Sequence, residues 1–191
     1  MKRIHLLLAG ALLFGACNNG SNSTDSTDSA KNANKSADSA AAASGSVAVA
    51  KDASDFAVTA ANAGMTEVEA SKLADLNAKS QQVKDFAAMM ITDHTQAGSQ
   101  LKSIADSKNI TLPATLSDDS RKKVDDLSTK KGTDFDKAYI NLMVAGHKDA
   151  VDLFQNAANN CSDSTLKNFA ATTLPTLQKH KDAVMAIKAK Q

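Results

Sequence analysis

Four side chains in this 191-residue sequence carry lone pairs at positions where helices could bring them together: Glu69, His94, His147 and His180. The fourth histidine, His5, lies in a stretch that reads as a removable leader, so three remain, each in a different apolar-periodic segment. At about 100° per residue, Glu69 falls roughly 30° from the centre of the face drawn by Met65, Val68, Leu73 and Leu76, and Glu67 points the opposite way. His94 lies in the middle of the stripe Val83, Phe86, Ala87, Met90, Ala97, Leu101 and Ile104, with Asp93 at its flank. His147 lies toward one edge of a stripe running from Phe135 through Tyr139 and Met143 to Phe154, and His180 lies among Leu166, Phe169, Leu174, Leu177 and Val184. Imidazole with carboxylate suits Zn²⁺, Fe, Mn or Cu, and facing side chains are how helical bundles build metal sites. The expectation is one transition-metal ion held by Glu69, His94, His147 and His180. Beside it stands a plainer reading in which inward histidines are hydrogen-bonded core residues and Glu69 pairs with Lys72 or with a histidine. Met90 and Met143 each precede a histidine by four; thioethers favour Cu(I), but Met at helical spacing is more often core filler. Counted from the turn near Cys161, His180 stands about 7 Å farther along its helix than His147, an offset that Pro175 can alter.

These residues need four long helices to position them. The apolar period predicts helices over 54–79, 81–108, 133–159 and 162–190, with Ser54 capping the first and Thr133 with Asp136 forming a capping box for the third. Asn109 and Pro113 end the second, and Ser117, followed by Asp118 and Asp119, opens a short polar helix before Gly132. Helices of this length are about 40 Å long. The fold class is therefore an all-α four-helix bundle. The 109–132 segment is long enough to cross the bundle from end to end, which gives a ferritin-like topology; a simple up-down-up-down bundle with a decorated loop is the alternative.

The remaining chain concerns location. Residues 1–17, MKRIHLLLAGALLFGAC, combine two basic residues, an apolar run too short to span a bilayer, and small residues before a cysteine. This resembles the lipobox of bacterial lipoproteins, which implies removal of residues 1–16 and lipidation of Cys17. Asn18 in the following position resembles sequences released to the outer membrane, facing the periplasm. Residues 17–51 are almost wholly Ser, Asn, Asp, Thr, Ala and Lys, and read as a disordered tether to a domain at 52–191. The chain carries 22 basic and 21 acidic side chains. Loss of Lys2 and Arg3 would leave a charge near −1, which gives no field for nucleic acid and leaves membrane attachment to the lipid.

The stretches MMITDH, AYINLMVAGH and LPTLQKH, within a resemblance covering nearly the whole domain, are similar to bacterial exported proteins grouped as domain of unknown function 4142, placed among ferritin-like bundles. The resemblance implies the ferritin-like four-helix fold and an exported location, and no established activity. The Glu-x-x-His pairs of di-iron bundles are missing: the residues three before His94, His147 and His180 are Ile91, Val144 and Leu177. A ferroxidase is therefore not expected. No nucleophile elbow or phosphate loop occurs, and Cys161 is a lone thiol in a turn. The sequence reads as a non-enzymatic, lipid-anchored envelope protein with a single metal ion. The alternative is an interaction module without metal, whose inward polar residues only fix helix packing.

Overall fold

The computed structural model describes residues 25–45 and 48–191; the leader and Cys17 lie outside them. Seven helices make up the described chain: α1 (Ser26–Ser44), α2 (Lys51–Lys72), α3 (Ala74–Asn77), α4 (Gln81–Ser107), α5 (Asp118–Ser128), α6 (Gly132–Asn160) and α7 (Ser164–Lys188). No strand occurs among the described residues, and none of the helices is long and apolar enough to cross a membrane.

Over residues 26–44, α1 corrects the reading of 17–51 as disordered; residues 17–24, 46 and 47 of that stretch lie outside the described residues. Asp25 caps the helix by accepting from the Thr27 amide, and Gly45 ends it in the left-handed conformation with its N–H on Ala41 and Ala42 carbonyls. Composition alone argues against order because the helix buries little, chiefly Ala30 and Asn34. Its stability comes from distant partners. The Asn34 amide donates to the Thr111 carbonyl at 3.0 Å and accepts from the Thr111 N–H at 2.7 Å, and Asp25 accepts from the Asp118 N–H.

α4, α6 and α7 lie close to their predicted ranges, whereas the first predicted helix, 54–79, begins at Lys51 and is divided at Leu73 into α2 and the short α3; the caps also differ. α2 starts at Lys51, and Ser54 is buried inside it, bonded to the Lys51 carbonyl. The expected Thr133–Asp136 box does not form: α6 has no side-chain cap, and Asp136 accepts from the Lys79 and Ser80 amides at the start of α4 instead. Its carboxylate thus serves the positive end of a neighbouring helix. Ser117 caps α5 as expected, and Asp163 caps α7. Past Ser107, Asn109 takes φ 56, a left-handed angle that Asn tolerates better than most residues.

Three contacts fix the helix directions. Ala78, just before α4, bridges Gly132 at the start of α6, so α4 and α6 run parallel. Asp52, at the start of α2, accepts from Ser162 after the end of α6, and Lys108, after α4, pairs with Asp163 before α7. The order is up-down-down-up, and the connection holding α5 crosses the whole bundle. This is the ferritin-like arrangement. Each long helix packs on two others, α2 on α4 and α6, and α7 on α4 and α6.

The buried apolar residues form two clusters. One contains Phe56, Leu101, Phe154, Leu166 and Phe169; the other contains Phe86, Met90, Phe135, Tyr139, Met143 and Val184. Between them, all four long helices interrupt their apolar stripes at one level.

Candidate metal centre

That level consists of Glu67 on α2, His94 on α4, His147 on α6 and His180 on α7. Their exposures are 4 %, 8 %, 0 % and 2 %. The three imidazole centroids lie 5.3 to 5.6 Å apart, and one ligand atom from each histidine lies within 4.8 Å of the others. The predicted offset between His147 and His180 is absorbed. His147 stands 13 residues before Asn160 and His180 stands 16 after Ser164, a difference in rise of about 4.5 Å that the two side chains span.

The carboxylate prediction is corrected. Glu69 lies at the surface, with its Oε1 2.7 Å from Lys72 Nζ, and Glu67 occupies the inner position. Around Glu67 the inner face of α2 is drawn by small residues. Ala53, Ala57, Ala60, Gly64, Glu67 and Ser71 of α2, with Ala74 at the start of α3, follow one another at alternating spacings of four and three, the seam pattern of a packed helix. Large side chains gave the wrong face: Leu76 is 86 % exposed. The small-residue heptad is the signal that identifies Glu67.

Each imidazole is held through one nitrogen. His147 Nδ1 donates to the Met143 carbonyl at 2.9 Å, which places its proton there and leaves Nε2 with a lone pair. His180 Nε2 donates to Asp93 Oδ2 at 2.9 Å, which leaves Nδ1. His94 Nδ1 lies 3.1 Å from Glu67 Oε2, and Glu67 Oε1 lies 3.3 Å from His147 Nδ1. Gly146 makes room for this carboxyl, since a Cβ there would come within 3.2 Å of Oε1. Fixing one ring nitrogen so that the other is free is how proteins orient metal-binding histidines.

Among the described residues, four buried side-chain polar atoms are left without a hydrogen bond: His94 Nε2, His147 Nε2, His180 Nδ1 and Glu67 Oε1. One comes from each long helix. Such atoms normally find partners, because a buried unpaired polar group costs about 1–3 kcal/mol. Burial pushes His94 down to about 3, helped by the neighbouring His147 and His180. It also pushes His147 down to about 4 against the bond to Met143, and raises Glu67 to about 8. With these shifts the 3.1 Å Glu67–His94 contact joins two neutral groups and is no ion pair. Neutral imidazole is the form that ligates metals.

The layer is open on one side. A cleft of about 920 Å³ runs along α4, between it and α2 and α7, and reaches Glu67, His94 and His180. The crossover residues Asn109 to Ala114 border it. Away from this layer, Cys161 is buried, and burial raises its thiol above the ordinary range.

Two solved structures share this architecture. A DUF305 fragment from Deinococcus radiodurans superposes with a TM-score of 0.66 at 10% identity, covering 75% of this chain and 99% of its own. The DUF305 protein of Streptomyces coelicolor, designated as secreted, gives a TM-score of 0.61 at 17% identity, covering 74% and 95%. At these identities the likeness establishes the fold alone. No curated protein matches the chain. The family model described as Domain of unknown function (DUF4142) matches residues 37–187, the span from α1 into α7, and the chain belongs to that family.

Proposed function

We propose that this protein binds one transition-metal ion through His94, His147 and His180, with Glu67 and Asp93 orienting the rings. The observation that carries this reading is the meeting of three unpartnered ring nitrogens, one from each of three helices, inside the core. Metal–nitrogen bonds of about 2.0–2.1 Å set tetrahedral ligand nitrogens roughly 3.3 Å apart, so the rings close slightly around an ion. Three neutral nitrogens suit Zn²⁺, Cu, Fe or Ni. The protein is read as a binder and not a ferroxidase, since no Glu-x-x-His pair supplies a second metal position.

The same proposal places the protein outside the cytoplasm, anchored by lipid on Cys17 at the outer membrane and facing the periplasm. The leader-like first 16 residues and the cysteine that follows support this. The designation of the Streptomyces relative in fold as secreted agrees with it. Replacing Cys17 by Ser should release the protein from membranes, and unchanged fractionation would remove the anchor.

The metal reading is tested by titrating tag-free protein with Zn²⁺, Co²⁺ and Cu²⁺ by calorimetry, with melting followed in parallel. One ion per chain and a raised melting temperature are expected, and a His94→Ala, His180→Ala double variant should lose both. The competing reading, in which the polar layer only sets helix register, predicts no uptake and no thermal shift.

A further inference from the structure

We propose that the cleft beside the histidine layer binds a neutral small molecule with an apolar body, whose single lone-pair donor completes the coordination of the metal. This rests on the metal reading above.

Three imidazoles leave a fourth position in a tetrahedral site, and a position left open by the protein is where exogenous ligands bind. His147 is wholly enclosed, whereas His94 and His180 form part of the cleft wall, so the open side of the layer is the cleft side. The cleft exists because α2 and α4 present small residues here, among them Gly64, Ala97 and Gly98. Gly98 is exposed on this wall, and a Cβ there would meet nothing within 4 Å, so a larger side chain can be placed there. Its volume of about 920 Å³ suits a small-molecule site, for which about 300–1,000 Å³ is usual.

The lining selects the ligand's character. Leu101, Ile110, Leu112 and Leu177 offer apolar surface, with Thr173 and Thr176 as hydroxyl groups. The charged side chains at the walls are already paired, Lys102 with Asp106, Glu69 with Lys72 and Asp93 with His180. Beside the ion the walls therefore offer no unpaired cation to hold a carboxylate or phosphate, and their apolar surface suits a neutral donor with an apolar body.

The test uses the full chain loaded with Co²⁺, whose visible bands report coordination, titrated with imidazole and with 4-phenylimidazole. Both should shift the bands while dialysis shows cobalt retained, and the phenyl compound should bind at least tenfold more tightly. Gly98→Leu, which strengthens the α4 helix and fills the wall, should keep cobalt and reduce that preference below threefold. Bands that move with neither compound, equal affinities, cobalt loss on adding the probes, or an unaltered preference in Gly98→Leu would overturn the proposal. Failure of cobalt to bind before any probe is added overturns the metal reading itself, and the cleft proposal with it.

Discussion

On one side of the histidine layer Phe135, Tyr139, Ile140 and Met90 are each completely buried, and Phe135 stacks on Tyr139, which meets Phe86 edge-on. Phe86 in turn packs edge-on against His147. On the other side Phe56, Phe154 and Phe169 also form an aromatic group, but Leu101, Ala150, Phe154 and Phe169 share their surfaces with the cleft. One half is closed and continuous with the most deeply buried ligand, and the other is open toward the two ligands at the wall. A binding site needs both properties, rigid support for its donors and a route for what they bind. This bundle separates the two along its length.

The contrast can be broken by truncation. Phe135→Ala should destabilise the protein by about 3–5 kcal/mol, because an enclosed site cannot collapse around the void. Phe154→Ala should cost at least about 1 kcal/mol less, since it borders space that already exists. Equal losses in urea unfolding would mean that the halves are packed alike.

Smaller effects sharpen it. Glu67→Gln keeps the shape of the layer but replaces a carboxyl that can ionise when metal arrives by an amide that cannot, and should weaken metal binding about 10–100-fold by calorimetry with little change in melting of the metal-free protein. If affinity is unaffected, Glu67 does not orient the rings. Next, Asn34→Ala leaves the Thr111 N–H and carbonyl without their partner. A cost of about 1 kcal/mol is expected, with faster amide exchange at Thr111 on the cleft border and none around Phe135. Uniform loss of protection would show that α1 supports both halves.

The smallest effect concerns acid. Hydrogen bonds from the Ser162 side chain and N–H hold the Asp52 carboxyl below its ordinary range. A carboxyl lowered in the folded state stabilises above its unfolded pKa and loses that contribution as pH falls through the folded one. The wild type should therefore lead Asp52→Asn slightly at pH 6 in urea midpoint, and the lead should vanish toward pH 2. A lead that persists in acid would assign it to packing.

Much of this was legible from periodicity. α4, α6 and α7 repeat large apolar residues on one face, so His94, His147 and His180 could be placed inward, and Asn109, Pro113 and Ser117 marked the crossover. The first predicted helix misled because around Glu67 its packed face is made of Ala, Gly and Ser, while Met65, Val68 and Leu76 lie toward solvent or the cleft. Weighting by side-chain size therefore selected Glu69 over Glu67. α1 escaped for another reason: its main anchor, Asn34, bonds to Thr111, 77 residues away, and no local pattern encodes that. The capping role of Asp136 is hidden likewise, since it is spent on Lys79 and Ser80.

Whether three histidines from three helices share one ion can be read from X-ray absorption of the zinc-loaded protein. Nitrogen or oxygen neighbours at about 2.0–2.1 Å are expected, with outer scattering from three imidazoles, reduced to two in His147→Ala. A shell with sulfur, or with fewer than three imidazoles in the wild type, would contradict a shared site.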